Sequence, residues 1–561
     1  MESVNGLKGV LDSSILQCSV RGNNNYFTVD PHPDVGEGAD PLPVRPGRVF
    51  FWGGSAATGV RGRVCYWPQR DALSVSTQAA TCRRALAHQL PLQGYFMTML
   101  TRAISVAIGT VICAASAQAT TYVVTAHQNK FDQKLVAKIE AAGGAVTARL
   151  PQIGVAIVES DNPNFANRAV SVQGIRSAVS DLTLQFVQPE PEQQIREEDF
   201  GNPPNSGDDD RFFDLQWGHT AVDAAGAWNA GYRGKGAVVA VLDSGLYCSH
   251  LEFADNLLTA DSASFVPGEN YCNTAGSSHG THTAGTILAG DNGAGTIGVA
   301  PEAKLMAVKV LSAINGSGSF GGIIQGIVHA ADRGADVINM SLGVRGGLEV
   351  GGKEVAELIN ATKRAVQYAG TQNALVVVSA GNDARDLDHD SGIEICDDDG
   401  LCYRANLRAF PAELPGVLAV SALGPTGWAY DFNTDLDKLA SYSNYGQSVI
   451  DFGAPGGDFI YPGAEACTVK GVRAPCWAFD MVLSSTTASG GRSSYGWNAG
   501  TSMAAPHVSG VAALIVGKHG GEMSPRAVEG ILRQSADDLG KRGNDSHYGS
   551  GRVNAARAVA E

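Results

Sequence analysis

The chain has 561 residues and carries 41 basic against 56 acidic side chains, a formal charge of −15 at pH 7. That balance argues against a nucleic-acid-binding surface, while a hydrophobic content of 44% suits globular protein. At this length more than one compact unit is expected.

Residues 1–96 are rich in Gly, Pro, Arg and scattered Cys, with no sustained helix or strand period. Residues 97–119, MTMLTRAISVAIGTVICAASAQA, place an Arg near the start, a short apolar core at 103–114 and Ala117-Gln118-Ala119 as an A-x-A cleavage site. That layout is a secretory signal peptide, too short to span a membrane by itself. Signal peptides begin proteins, so translation is expected to start at Met97 or Met99, with 1–96 a misassigned start. The alternative is a genuine extension with 103–114 as an internal apolar helix. Beyond Ala119, TTYVVTAH reads as a strand, FDQKLVAKIEAAGG as an amphipathic helix with a Gly stop, and IGVAIVES as a second strand. Residues 189–210 are acidic and rich in Pro and Gly, and read as an exposed linker.

Residues 237–243, AVVAVLD, form a continuous apolar run ending on Asp243. Such a run reads as a buried parallel strand, and its carboxyl end is where open α/β sheets place their sites. HGTHTAGT at 279–286 carries His279 and His282 ahead of a helix-like stretch. With no following acid or third His, zinc is the weaker reading. ALVVVSAGN at 374–382 is a further strand, ending on Asn382. GTSMAAPHVSG at 500–510 then delivers Ser502 to the start of an apolar helix, VSGVAALIVG. A hydroxyl there lies at the positive end of a helix dipole, among backbone N–H groups that can hold an anion.

Each residue alone has an ordinary role: a helix cap, a turn residue, a packed histidine. Together they supply what acyl transfer by serine requires. The hydroxyl needs a base within reach, imidazole titrates near working pH, and the imidazolium needs a fixed anion. An amide can answer the charge on the carbonyl oxygen.

These segments resemble the subtilisin-like serine peptidases over about residues 211–561. The motifs are VAVLDSG around Asp243, HGTHTAGT around His279 and GTSMAAPHVSG around Ser502, in the order Asp, His, Ser. Between them stand GVAP at 298–301, DVINMSLG at 336–343, SAGN at 379–382, ASYSNYG at 440–446 and GAPGG at 453–457. The resemblance implies a three-layer α/β domain with a mostly parallel sheet, preceded by a small α+β unit. It also implies peptide hydrolysis with Ser502 as nucleophile, His279 as base, Asp243 as its partner and Asn382 in the oxyanion hole. His279 comes first in HGTH and takes the catalytic place; His282 and His507 are then packed, structural histidines. Ser341, Leu342 and Gly343 line one side of the first specificity pocket and pair with extended substrate, and Ala380 and Gly381 line the other. The stretch from Asp383 to Phe410 is longer than in the short bacterial members and carries DARDLDHD and CDDDG. A basic substrate preference is one reading of it, but acidic runs are ordinarily solvated faces.

By the same resemblance, residues 120–188 correspond to an inhibitor I9-like propeptide, released by self-cleavage in or just before the linker. A structural calcium ion is implied where the start of the catalytic domain meets GDNGAG at 290–295. Asp210, Glu252 and Asn292 fall there and offer oxygen ligands. Beyond the signal segment six cysteines remain, an even count that suggests disulfides in an exported chain. Sequence proximity suggests Cys248–Cys272, Cys396–Cys402 and Cys467–Cys476, among fifteen possible pairings. The expectation is a secreted, monomeric endopeptidase acting on proteins or peptides, with its own propeptide as intramolecular inhibitor. A catalytically silent binding protein and an esterase using the same residues are the alternatives.

Overall fold

The computed structural model describes residues 119–186, 192–195, 208–274, 277–396, 402–487 and 493–561. The readings of 1–96 and of the signal peptide lie outside the described residues apart from Ala119, as does much of the linker.

The first described unit is built on β1 (Thr120–Ala126), α1 (Gln133–Ala141), β2 (Ala145–Leu150), β3 (Val155–Ser160), α2 (Phe165–Val170) and β4 (Ile175–Ser180). The strands make one antiparallel sheet in the order β2-β3-β1-β4. Helix α1 starts where Asp132 caps the Leu135 N–H at 3.0 Å, and ends at Gly143, whose φ of +100° an L side chain rarely adopts. One face of the sheet packs on both helices through Tyr122, Val124, Phe131, Ile139, Val158 and Phe165. The sequence reading found two of these strands. It passed over β2 and β4, since β2 alternates between half-buried and exposed and carries little apolar signal.

The second described unit is organised by a seven-stranded sheet, parallel throughout. Its strands are β7 (Val238–Asp243), β8 (Ala263–Ser264), β9 (Lys304–Lys309), β11 (Val337–Met340), β12 (Leu375–Ser379), β13 (Val417–Leu423) and β14 (Ile450–Pro455), in the order β14-β13-β12-β11-β7-β9-β8. Helices cover both faces. Val239 and Val241 point to the side of α3 (His279–Leu288) and of the 18-residue helix α6 (Thr501–Lys518). Ala240 and Leu242 point to the side of α4 (Phe320–Asp332) and α5 (Lys353–Thr371). Two-sided burial explains why these strands read as unbroken apolar runs.

The first unit docks on the second of those faces. Val123, Ile157 and Val179 join the core formed by α4 and α5. Arg176 forms a two-point ion pair with Glu357 at 2.9 and 3.1 Å, and Arg364 donates to the carbonyls of Ala126 and Ile153 at 3.0 and 3.2 Å. Asp181 accepts from the Gly321 N–H at 2.9 Å, at the start of α4.

The cysteines are joined as Cys248–Cys272, Cys396–Cys402 and Cys467–Cys476. The last closes a hairpin of β15 (Ala466–Val469) and β16 (Val472–Pro475). Next to it lies a second hairpin, β17 (Val482–Thr487) and β18 (Ser493–Asn498), which leads into α6.

Because α6 fills the centre of one layer, trimming it should be costly. Ile515 on α6 is fully buried in that core. Ile515→Ala is expected to destabilise the domain by about 2–5 kcal/mol, read from urea unfolding.

Candidate active site

Strand β7 carries Asp243 to the carboxyl edge of the sheet, and α3 begins on His279. The two side chains meet there: His279 Nδ1 lies 2.8 Å from Asp243 Oδ1 and 3.0 Å from Oδ2. Both are buried, Asp243 at 1% and His279 at 5% exposure. The carboxylate also accepts from the Ser244 N–H at 2.6 Å and from the Thr283 hydroxyl at 3.4 Å. An aspartate at Nδ1 selects the tautomer that leaves the basic lone pair on Nε2. The Cys248–Cys272 bridge closes the segment between these two residues.

Beneath Asp243 lies Lys309, its ammonium fully buried and paired with Glu269 at 3.0 Å while donating to the Ser244 carbonyl. Asp243 and Lys309 face each other in register on β7 and β9. Burial lowers the lysine pKa, and Glu269 and Asp243 oppose that shift.

Ser502 is the second residue of α6, which packs against α3. Its carbonyl accepts the Ser341 hydroxyl at 2.7 Å, and its Oγ lies 3.4 Å from the Ser341 carbonyl. Asn382 follows β12 and is fastened to the residue before Ser502. Its Oδ1 accepts the Thr501 N–H at 2.9 Å and the Thr501 hydroxyl at 2.7 Å. With the oxygen so engaged, the amide presents its NH2 as the donor end. The Gly381 N–H donates back to Thr501 Oγ at 3.1 Å. Gly381 has φ +100°, and a Cβ there would stand 2.5 Å from the Asn444 amide, so only glycine fits. Asn444 holds Ala380 through its carbonyl at 2.9 Å. Segment 380–382 is thus set from both ends.

The other histidines are held as packing groups. His282 Nε2 bridges the carbonyls of Val482 and Gly496 at 3.1 and 3.2 Å, and burial lowers its pKa to about 3. His507 Nδ1 lies 2.9 Å from the Met503 carbonyl, and burial lowers its pKa to about 4. Neither faces the Asp243 carboxylate.

Ser341–Gly343 borders a groove occupied by the chain itself. Residues of β5 (Thr183–Gln185) pair antiparallel with β10 (Ser317–Ser319) on one side. On the other, Gly343 N donates to the Phe186 carbonyl at 3.0 Å and Arg345 N to the Gln185 carbonyl at 3.2 Å. Phe186 is 2% exposed and packs against Phe320 and Phe410. Sequence reasoning did not single out Phe186; its one signal was an aromatic residue directly ahead of an acidic linker.

Asp210, Glu252 and Asn292 also come together. Asp210, fully buried, accepts from the N–H groups of Asn292 and Ala294 at 3.3 and 3.1 Å through Oδ1. Glu252 accepts from the Tyr495 hydroxyl at 2.7 Å and the Asn292 amide at 2.8 Å. Burial pushes both carboxyls up to about 8, helped at Asp210 by the neighbouring Asp208. Oxygens of Asp208, Asp209, Asp210 and Asp291 all lie within 4.8 Å of one another. Asp208, Asp209 and Asp291 escaped the sequence reading, which took only Asp210 from DDD at 208–210 and only Asn292 from the loop at 290–295. Arg233 offsets part of that charge, 2.5 Å from Asp291 and 3.9 Å from Asp208.

The family model described as the subtilase family covers residues 234–551. The chain is 34% identical over 345 residues to Subtilisin NAT of Bacillus subtilis subsp. natto, spanning 62% of this chain and 71% of that protein. It is 35% identical over 349 residues to M-protease of Shouchella clausii, spanning 62% of this chain and 70% of that one. In three dimensions it resembles the epidermin leader peptide processing serine protease of Staphylococcus aureus. The TM-score is 0.61 at 22% identity, over 79% of this chain and 98% of that one, a likeness of fold. The chain belongs to the subtilase family and is a serine-type endopeptidase acting on protein or peptide substrates.

Proposed function

We propose that this is a secreted endopeptidase, made as a zymogen, in which Ser502 attacks the scissile carbonyl. The contact between Asp243 and His279 at the sheet edge, beside the helix whose first turn carries Ser502, carries this reading. His279 Nε2 takes the hydroxyl proton as the Ser502 Oγ–carbon bond forms, and Asp243 stabilises the imidazolium. The carbonyl oxygen gains charge at the amino end of α6, where the Asn382 NH2 and a backbone N–H receive it. Collapse expels the amine, which carries off the proton from His279, and leaves an ester on Ser502. Water then repeats the sequence and frees the acid. Ser341–Gly343 and Ala380–Gly381 form the walls that align the substrate backbone.

Residues 120–186 support the propeptide reading because they end as an added strand in the groove that substrate would use. Strand addition of this kind inhibits by occupancy. Export is supported by the three disulfides and by the signal-like segment at 97–119. Among the described residues no helix is long and apolar enough to cross a membrane.

A calcium ion suits the acidic pocket. Asp210 Oδ2 is buried without a partner, and three more carboxylates converge on it. Asp210 with Asp208 and Asp291 would hold the ion, with Glu252 and Asn292 bracing the loop at 290–295. When bound, the ion neutralises carboxylates that otherwise repel one another or take up protons.

A fluorophosphonate probe is expected to label the purified mature enzyme at Ser502 and to miss Ser502→Ala. Casein digestion should be lost in the same variant, and labelling without casein digestion would point to an esterase instead. Chelation by EDTA is expected to lower Tm, with calcium restoring about 2.7 kcal/mol at a hundredfold excess over its Kd. An unchanged Tm would overturn the ion.

A further inference from the structure

Glu192–Ile195 lies in the segment that composition reads as a solvated linker, yet it forms a strand, β6. It pairs antiparallel with β18, setting Ile195 opposite Tyr495, Gln194 opposite Gly496, Gln193 opposite Trp497 and Glu192 opposite Asn498. Side chains fasten it as well. Ser278, the residue before His279, donates its hydroxyl to Glu192 at 3.0 Å, and the Gln194 amide donates to the Thr487 carbonyl at 3.3 Å. Ile195 is 6% exposed and packs among Val469, Val472, Tyr495 and Trp497. Gly496 lets the strands approach, since a Cβ there would stand 3.0 Å from the Gln193 carbonyl.

The direction of the chain gives this strand its meaning. Residues 183–186 run along Ser317–Ser319 and Gly343 on one side of the catalytic residues. Residues 192–195 then run along β18, the strand that leads through Ala499 and Gly500 into Ser502. A peptide threaded in the same sense lays its acyl half on the first edge and its leaving half on the second.

We infer that Glu192–Ile195 is a built-in strap that stays on β18 after maturation, occupies the leaving-group side of the cleft, and must be displaced by substrates with a long leaving segment. This rests on the peptidase reading above. The partners of the strap are β18, Thr487, Ser278 and the apolar cluster around Val469, all within the catalytic domain. Removing residues 120–186 therefore takes none of them away. A cut between Phe186 and Glu192 turns the strap into an amino-terminal arm, still tethered to Asp210 and held at high effective concentration. Such a competitor lowers the apparent affinity of long substrates by the fraction of time the edge is open. Substrates that end at the cut do not meet it.

The mature enzyme tests this on two substrates that share one acyl-side sequence: an internally quenched peptide extending well past the cut, and the matching p-nitroanilide. Ile195→Asp is expected to raise the ratio of kcat/KM, long over short, by about three- to tenfold, with p-nitroanilide turnover unchanged. Ile195→Ala and Glu192→Ala trim the same anchors and give the same reading if Ile195→Asp does not fold. An unchanged or smaller ratio overturns the strap, and so does an intact mass placing the mature amino terminus beyond Ile195. Loss of the ratio with p-nitroanilide turnover intact overturns the strap alone. A wild-type enzyme inert on both substrates overturns the peptidase reading with it.

Discussion

A carboxylate held against an imidazole, both out of water, is the contact around which the catalytic domain is arranged. Asp243 is nearly sealed from solvent, and a buried carboxylate is tolerated only when donors surround it. His279, the Ser244 N–H and the Thr283 hydroxyl are those donors. Bringing them together requires β7 to end where α3 begins, which the parallel sheet does by gathering its carboxyl ends at one edge. Lys309 on the neighbouring strand adds a buried positive charge beneath the pair.

The same edge explains how the site treats peptides. Backbone segments at Ser317–Ser319 and Gly343–Arg345 offer hydrogen-bonding groups to an extended chain lying between them, and here the chain's own residues 183–186 lie there. The first unit is anchored away from this groove by Arg176, Arg364 and the apolar face of its sheet. Anchoring at a distance lets a short strand fill the groove without supplying all of its own binding energy.

Around that centre the domain spends charge at its margins. Asp208, Asp209, Asp210 and Asp291 sit where the first residues of the catalytic domain meet the loop after α3. Burial raises the carboxyls of Asp210 and Glu252, with Asp208 adding to the shift at Asp210. Disulfides close three short segments of the chain.

Most of the site was legible because its residues lie in contiguous motifs: a strand ending on Asp243, a helix opening on His279, small residues around Ser502. Local spacing encodes local structure, so the elements and the α/β class could be read in one dimension, while the roles proposed for Asp243, His279 and Ser502 came from the likeness of their motifs to the subtilases. What could not be read depends on partners far away in the chain. Strand β6 exists because β18, about three hundred residues later, offers an edge and a pocket for Ile195. Phe186 acquires its place from Phe320 and Phe410, and Asp208 and Asp291 become neighbours only when the amino terminus of the domain folds onto the loop at 290–295. The sequence by itself determined which chemistry the chain carries. Only tertiary structure decided where its own linker would lie against that chemistry, since strand pairing is a long-range choice that leaves no periodic mark in a run as short as Glu-Gln-Gln-Ile.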